Sequence, residues 1–179
     1  MAVNGARRAV FVDKDGTLVE NVPYNVDPSR IALTPNAGEG VGLLAARGFE
    51  VIVISNQPGA AMGLFPERAL EDVERSLREL LPALDGFYYC PHLPGAGCKC
   101  RKPAAGLIER AARDREINLA RSWMIGDILD DVEAGRRAGC RTILIDNGNE
   151  TEWRLTARRF PDHIVEDFSQ AAAVIIETP

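Results

Sequence analysis

Short apolar runs alternate with longer amphipathic segments along this chain, and this alternation constrains the fold more than any other feature. The most distinct run, residues 49–55, is rich in β-branched residues and favours a buried strand. Strands and helices that alternate in this way form a mostly parallel sheet, so we expect an α/β fold. The predicted strands are residues 8–13, 49–55, 86–90, 122–126 and 141–146.

The segments between these strands carry helical signals. Residues 66–81 place apolar side chains on one helix face, and Gly48 follows residues 35–47 as a helix-terminating glycine. The predicted helices are residues 35–47, 66–81, 104–115 and 130–138. We therefore expect a Rossmann-like fold with three α/β/α layers, in which ligands bind at the C-terminal ends of the strands.

Composition narrows the classes of protein that remain. The 179 residues suit a single domain, 1–179, and a hydrophobic fraction of 46% is ordinary for a globular chain. The net charge of −5, without a basic stripe, argues against a nucleic acid partner. No apolar run approaches the ~20 residues of a membrane span, and the N-terminal run is shorter than a signal-peptide core. We expect a cytoplasmic protein with no membrane partner, acting as a monomer.

A pair of aspartates follows the first predicted strand. The string is Asp13-Lys14-Asp15-Gly16-Thr17. Two carboxylates directly after a buried strand are unfavourable unless a cation or a reaction requires them. An aspartate-rich turn is the alternative, and such turns are common. A calcium-binding EF-hand loop does not fit, because its sixth position requires glycine and this chain has Leu18 there. We interpret the string as part of a functional site.

Three of the four cysteines cluster with a histidine in a loop rich in proline and glycine. Three thiols and one imidazole in a short loop match a tetrahedral structural zinc site with no position left for water. Buried small residues are the alternative, but free cysteines rarely cluster around a histidine, and cytosolic thiols stay reduced. The expected Zn²⁺ ligands are Cys90, His92, Cys98 and Cys100. The loop leads directly into Arg101 and Lys102, so zinc would fix both cations in place.

The string that begins at Asp13 matches D-x-D-G-T, and with it the chain resembles the haloacid dehalogenase superfamily of phosphotransferases. The other family motifs have candidates in the expected order, namely Ser55, Lys102, and the acidic pair Asp127 and Asp131. Taken alone, a strand-end serine, a surface lysine and helix-capping aspartates are common. In this order, and each at a strand end or in an adjoining loop, they together favour the functional interpretation.

The resemblance implies a phosphatase that works through an aspartyl-phosphate intermediate. Asp13 would be the nucleophile, and Asp15 would protonate the leaving group and later deprotonate water. Ser55 and Lys102 would hold the oxygens of the transferring phosphoryl group. Because a carboxylate and a phosphate repel, the reaction requires Mg²⁺, which the side chains of Asp13 and Asp127 and the backbone carbonyl of Asp15 would bind.

The zinc string makes the resemblance more specific. A D-x-D-G-T phosphatase with this loop is similar to the D-glycero-D-manno-heptose 1,7-bisphosphate phosphatases of carbohydrate metabolism and to the related histidinol-phosphate phosphatases. The segment between Asp13 and Ser55 is predicted to form one loop and one helix. It is therefore too short to contain the large cap domain of other superfamily members. The resemblance implies that substrate contacts come from Asn21, Tyr24, Asn56, Gln57 and Arg101.

This chain departs from the pattern of that branch at three positions. Ile128 replaces a frequent lysine or arginine, Asn21 replaces a frequent aspartate, and Pro58 replaces a usual serine. The leading hypothesis is a 7-phosphatase that acts on the small sugar phosphate heptose 1,7-bisphosphate. The second is a phosphatase for histidinol phosphate or another small phosphorylated metabolite. The third, of another class, is a non-catalytic zinc-binding interaction module, against which the complete set of family motifs argues.

Overall fold

The computed structural model describes residues 7–178, and these contain a six-stranded sheet in which every strand pairing is parallel. The strand order is β3-β2-β1-β4-β5-β6, so the winding reverses between β1 and β4, where α/β folds bind ligands. The strands are β1 (Arg8–Val12), β2 (Phe49–Asn56), β3 (Leu84–Cys90), β4 (Trp123–Gly126), β5 (Arg141–Ile145) and β6 (His163–Val165).

Helices cover both faces of this sheet. The helices are α1 (Ala37–Ala46), α2 (Ala69–Leu80), α3 (Gly106–Arg115), α4 (Leu129–Ala138) and α5 (Phe168–Glu177), with short 3-10 helices at Pro28–Arg30 and Leu119–Arg121. Val10 and Val12 pack with α1, α2 and α5, whereas Ala9 and Phe11 pack with α3 and α4. Successive strand residues point to opposite faces, so β1 is apolar from Ala9 to Val12, because both of its faces are buried there. The predicted three-layer α/β/α fold is confirmed.

The predicted strands and helices are all present, with ends that differ by a few residues. α2 begins at Ala69 rather than at residue 66, because a separate turn precedes it, in which the Ala69 amide donates to the Pro66 carbonyl at 2.9 Å. α3 begins at Gly106 rather than at residue 104, and the Gly106 amide donates to the Lys99 carbonyl in the preceding loop at 3.0 Å. Hydrogen bonds to the preceding turn or loop therefore set these boundaries.

Two elements at the C-terminal end were not predicted. β6 has only three residues and two of them are exposed, so it leaves no apolar run. α5 is largely apolar and lacks a charged face, which makes its helical period hard to see. Its start did carry a signal, because the Asp167 side chain caps the helix by accepting a hydrogen bond from the Gln170 amide at 2.9 Å. Within residues 7–178, no helix has the length and apolar character needed to cross a membrane.

Candidate active site

The C-terminal ends of three neighbouring strands bring the predicted catalytic residues together. Asp13 directly follows β1, Asp127 directly follows β4, and Ser55 is the next-to-last residue of β2. The Asp13 amide continues the ladder by donating a hydrogen bond to the Ile125 carbonyl at 2.9 Å. The order β2-β1-β4 thus places residues that are distant in sequence at one edge of the sheet.

Three aspartates form a buried cluster at this edge, which we call the carboxylate cluster. One carboxylate oxygen from each of Asp13, Asp127 and Asp131 lies within 4.8 Å of the others. Burial, together with the charge of Asp13, raises the pKa of Asp127 to about 6. Burial also raises the pKa of Asp131, in spite of the ammonium of Lys102 beside it. Carboxylates this crowded and this poorly hydrated need cations nearby.

Lys102 supplies one of these cations. Its ammonium donates hydrogen bonds to Asp13 Oδ1 and, at 3.0 Å, to the Ile54 carbonyl, and it lies 2.6 Å from Asp131 Oδ1. Burial lowers the pKa of Lys102, but the two carboxylates outweigh burial and raise it above its ordinary value. Lys102 is therefore protonated and is placed to offset the charge on a phosphoryl group that reaches Asp13.

The side chain of Asn56 holds the backbone of Lys102. Asn56 Oδ1 accepts a hydrogen bond from the Lys102 amide at 3.0 Å, and Asn56 Nδ2 donates one to the Lys102 carbonyl at 3.2 Å. Both ends of the Asn56 amide group thus have partners within the protein. In this arrangement Asn56 positions Lys102, and its contact with substrate stays a prediction.

Asp15 lies beside the cluster, half-buried, and bonds to two side chains. Lys14 Nζ donates to Asp15 Oδ1, while Gln57 Nε2 donates to Asp15 Oδ2 at 3.0 Å and to Ser55 Oγ at 2.7 Å. Burial raises the pKa of Asp15 against the lowering effect of Lys14, and the charge of Asp13 raises it further. A raised pKa suits a general acid, which must hold its proton until the leaving group departs.

Side chains without a predicted role hold Asp127 and the turn that follows β1. Thr17 Oγ1 and Asn149 Nδ2 donate to the two oxygens of Asp127 at 3.2 Å and 2.6 Å. Asn147 Nδ2 donates to the Gly16 carbonyl at 2.7 Å. Asn147 and Asn149 follow the end of β5, at the same edge as Asp127. Their position shortly after a predicted strand was the one sequence signal that could have identified them, because an asparagine carries no charge.

The zinc loop, residues 90–100, brings its four predicted ligands into one cluster. Cys90 Sγ lies 3.7 Å from Cys98 Sγ and 3.4 Å from His92 Nδ1, and this nitrogen lies 3.2 Å from Cys100 Sγ. Two thiolates on a tetrahedral zinc with bonds of about 2.3 Å lie about 3.8 Å apart. The cysteines are free, as metal ligands must be. The donor set and the Cys90–Cys98 spacing therefore fit a Cys₃His zinc site, whereas Cys90 Sγ and Cys100 Sγ, 2.9 Å apart, would have to separate to bind the metal.

The zinc loop is joined to the catalytic edge at both ends. Cys90 ends β3 in register with Asn56, and its carbonyl accepts a hydrogen bond from the Gln57 amide at 2.7 Å. The other end of the loop continues through Arg101 to Lys102, whose backbone Asn56 holds. A metal in this loop would thus restrict the segment that leads from the end of β3 to the cation that contacts Asp13.

Two concave regions flank the catalytic edge, and they differ in charge. One, of about 380 Å³, is lined by the zinc loop together with Arg101, Lys102 and Asp130, and Asp130 is itself paired with Arg159. The other, of about 350 Å³, is lined by Asn21 and several acidic residues, so it disfavours a second phosphate. The acidic residues there are Glu20, Glu166 and Asp167. A bisphosphate would therefore place its second phosphate on the Arg101 side.

The predicted substrate contacts do not all lie together. Asn21 borders the acidic region, and Arg101 borders the region on the zinc-loop side, where its Nη1 donates to the His92 carbonyl at 3.3 Å. Tyr24 lies in the loop between β1 and α1, and its side chain is exposed. Gln57 is buried between Asp15 and Ser55. Their contacts with a substrate stay predictions.

Comparison with known proteins points to one family. A family model described as "HAD-hyrolase-like" matches residues 99–171. The chain is 34% identical over 182 residues to the D-glycero-D-manno-heptose-1,7-bisphosphate 7-phosphatase of Chlorobaculum tepidum, and the match covers 92% of each chain. It is 35% identical over 154 residues to the D-glycero-beta-D-manno-heptose-1,7-bisphosphate 7-phosphatase of Haemophilus ducreyi, covering 79% of this chain and 85% of that relative.

Solved structures give the same result. The crystal structure of the D,D-heptose 1,7-bisphosphate phosphatase from B. bronchiseptica, complexed with magnesium and phosphate, superposes with a TM-score of 0.83 at 27% identity. That match covers 95% of this chain and 98% of the other. A putative HAD-like phosphatase from Mesorhizobium loti superposes with a TM-score of 0.79 at 27% identity, covering 94% of this chain and 86% of the other. The similarity in sequence and in fold thus extends over almost the whole chain.

Proposed function

Because this chain belongs to the haloacid dehalogenase-like hydrolases and to their phosphatase members, we propose that it removes the 7-phosphate of D-glycero-D-manno-heptose 1,7-bisphosphate. Relatives named for this activity match most of the chain. One observation carries the proposal: Lys102 contacts Asp13, which lies in the same buried cluster as Asp127. A candidate nucleophile, a cation for the phosphoryl oxygens and a carboxylate for a metal thus share one small space.

Asp13 is the nucleophile in this proposal. Its carboxylate attacks phosphorus and takes over the phosphoryl group, while the sugar oxygen leaves with the proton of Asp15. Asp15 then removes a proton from water, and the water oxygen attacks phosphorus to release inorganic phosphate and regenerate Asp13. Ser55 and the protonated Lys102 hold the phosphoryl oxygens during both steps.

The residues at this edge fit a magnesium ion. Mg²⁺ prefers oxygen ligands, which the buried carboxylates of Asp13 and Asp127 and the carbonyl of Asp15 would provide. Asp131 belongs to the same cluster, but its Oδ1 already lies 2.6 Å from Lys102 Nζ, so we assign it to positioning Lys102. When bound, Mg²⁺ offsets enough negative charge for the nucleophile and the phosphate to meet.

Gly16 offers a test of the position of Asp127. Gly16 has a φ of +87°, and a Cβ built there lies 2.2 Å from Asp127 Oδ2 and 2.6 Å from Asn149 Nδ2. We expect Gly16→Ala to displace the Asp127 carboxylate and to reduce kcat on an aryl phosphate roughly a hundredfold. Higher magnesium concentrations should recover part of the activity.

Gly48→Ala is the matched control for this substitution. Gly48 has a φ of +78° but nothing within 4 Å of the added Cβ, so the substitution introduces the backbone strain alone. That strain, about 1–2 kcal/mol, should lower the melting temperature without changing kcat. Equal catalytic losses in the two variants would contradict the proposed role of Asp127.

We propose one structural zinc in the zinc loop, held by three thiolates and one imidazole. The cluster geometry supports it, and so does the pKa of Cys98, which burial raises but hydrogen bonds, first from the Arg101 amide, lower to about 7. Metal analysis of protein purified without chelator should find one zinc per chain. Cys98→Ser should reduce both the zinc content and turnover, because the loop no longer fixes Lys102.

Cys140→Ser is the control for the zinc prediction. Cys140 is buried in the core outside the metal cluster, so its replacement should lower the melting temperature but preserve zinc content and turnover. A native, zinc-free protein with full activity would show that the loop needs no metal.

Arg101 is the residue that we propose to recognise the phosphate that does not react. It lines the concave region beside Lys102, whereas the opposite region is acidic. We expect Arg101→Ala to reduce kcat/KM for heptose 1,7-bisphosphate roughly ten- to a hundredfold, the value of one charge-assisted hydrogen bond. The loss on a small aryl phosphate should be much smaller. Arg113→Ala, an exposed position on α3 remote from that region, should change neither value.

The substrate itself is tested by a side-by-side comparison of kcat/KM for wild-type protein. Heptose 1,7-bisphosphate should be preferred over histidinol phosphate, because only the bisphosphate offers a second anion to Arg101. The opposite preference would assign the chain to the histidinol branch. Poor activity on both, with good magnesium-dependent activity on an aryl phosphate, would point to another phosphorylated metabolite.

A further inference from the structure

A second basic concavity borders the zinc loop, and no step of the proposed reaction uses it. This basic groove has a volume of about 550 Å³ and lies between the zinc loop, the start of α3, the last turn of α4 and the segment after β5. None of the residues assigned to the chemistry lines it. Its charged lining residues are Lys99, Arg136, Arg137, Arg158 and Glu109.

Some cations of the basic groove form ion pairs with carboxylates of the protein, and others do not. Arg136 Nη2 pairs with Asp162 Oδ1 at 2.8 Å, and Arg137 Nη2 pairs with Glu133 Oε1 at 2.6 Å. Lys99 and Arg158 are both exposed, and their side chains have no ion pair or hydrogen bond within residues 7–178. Two uncompensated cations from distant parts of the sequence therefore face one concavity that contains a single carboxylate.

The start of α3 adds to the positive potential of the groove. Ala104, Ala105 and Gly106 line it, and the helix has no side chain at its N-cap, because that residue is Ala105. The Gly106 amide is already used, because it donates to the Lys99 carbonyl at 3.0 Å, so this helix end contributes the positive end of the helix dipole. The dipole supplements the cations of the groove, which remain its main attraction for an anion.

We propose that the basic groove binds a small polyanion with two or more phosphate groups, at a site separate from the carboxylate cluster. Lys99 and Arg158 each contact one phosphate, and the ligand bridges the zinc loop and the segment after β5. A ligand with two phosphates matches two separate free cations better than a single phosphate does. Lys99 and Arg158 are both exposed, so phosphates that contact them remain partly hydrated.

Calorimetric titration with inorganic pyrophosphate tests this proposal. The zinc-loaded full chain is used without added magnesium, so that the carboxylate cluster repels anions from the catalytic edge. Wild-type protein should bind pyrophosphate, and added salt should weaken the binding. Arg158→Gln should weaken binding about tenfold, as the loss of one charge-assisted contact at an exposed site predicts. Lys99→Gln should have a similar effect with the zinc content unchanged.

Two further variants serve as controls for the pyrophosphate titration. Arg154→Gln is the matched control, because Arg154 lies on the same exposed segment, pairs with Glu152 and does not line the groove. It should bind pyrophosphate as wild type does. Asp13→Asn should also bind normally, since removal of a catalytic carboxylate would strengthen binding only at the catalytic edge. The proposal is overturned by no binding to wild type, by equal losses in Arg154→Gln and Arg158→Gln, or by tighter binding to Asp13→Asn.

Discussion

Replacement of Asp13 by asparagine should abolish turnover and leave the fold as stable as before. Asparagine keeps the volume of aspartate, but its neutral amide cannot form the phosphorylated intermediate. Lys102 retains partners in the variant, because Asp131 Oδ1 lies 2.6 Å and the Ile54 carbonyl 3.0 Å from its ammonium. The variant also relieves Asp127, whose pKa the charge of Asp13 helps to raise.

Steady-state kinetics and thermal melting together measure this outcome. We expect kcat to fall by on the order of 10⁴- to 10⁶-fold, as when other covalent nucleophiles are removed, and the melting temperature to stay constant or rise. Asp146→Asn is the matched control, because Asp146 also follows a parallel strand of this sheet but is exposed and lies outside the carboxylate cluster. If cleanly purified Asp13→Asn protein retained more than a few per cent of activity, covalent catalysis by Asp13 would be wrong.

The fold was predictable where burial leaves a continuous pattern in the sequence. β2 is buried along most of its length, so its β-branched run could be recognised without knowledge of its neighbours. β6 is an edge strand with two exposed residues, and it forms because β5 offers it a free edge rather than because of its own sequence. The first turn of α3 depends on the contact between Gly106 and Lys99, which no local pattern contains.

The charged residues of the candidate site could be predicted from the sequence, whereas the positioning roles of its neutral residues could not. Asp13 and Asp127 are ionisable residues after buried strands, which is unusual enough to indicate a site. Asn149 Nδ2 also belongs to the site, because it donates a hydrogen bond to Asp127 Oδ2 at 2.6 Å. An asparagine in a loop is common, however, so its residue type gave no signal. Asn56 shows a second limit: the family resemblance implied a substrate contact, which stays a prediction, but gave no sign that the Asn56 amide positions Lys102. Position after a strand indicates proximity to the site, but only the contacts assign a role.

Replacement of Lys102 should have the second large effect, in this case on stability, because its ammonium compensates the negative charge of the carboxylate cluster in the metal-free protein. Its ammonium contacts Asp13 and Asp131, and both partners and the lysine are buried. Removal of one member of a buried ion pair leaves the other charge unpaired, which costs about 3–5 kcal/mol. Lys102→Gln should therefore lower the free energy of unfolding by about that amount without magnesium, and should also abolish turnover.

The loss of stability in Lys102→Gln should depend on pH and on magnesium. Burial raises the pKa of Asp131 in the folded protein and the ammonium of Lys102 opposes this, so removal of Lys102 raises that pKa further. The stability of the variant is then lost as pH rises and the unpaired carboxylate ionises. The variant should accordingly be more destabilised at pH 8 than at pH 5, and magnesium at pH 8 should restore part of the difference. Lys14→Gln is the matched control, because Lys14 is equally buried but its only ion pair within residues 7–178 is with Asp15, whose side chain is 30% exposed. Urea unfolding of both variants measures the effect, and a Lys102→Gln protein as stable as wild type at pH 8 without magnesium would show that the cluster does not depend on this cation.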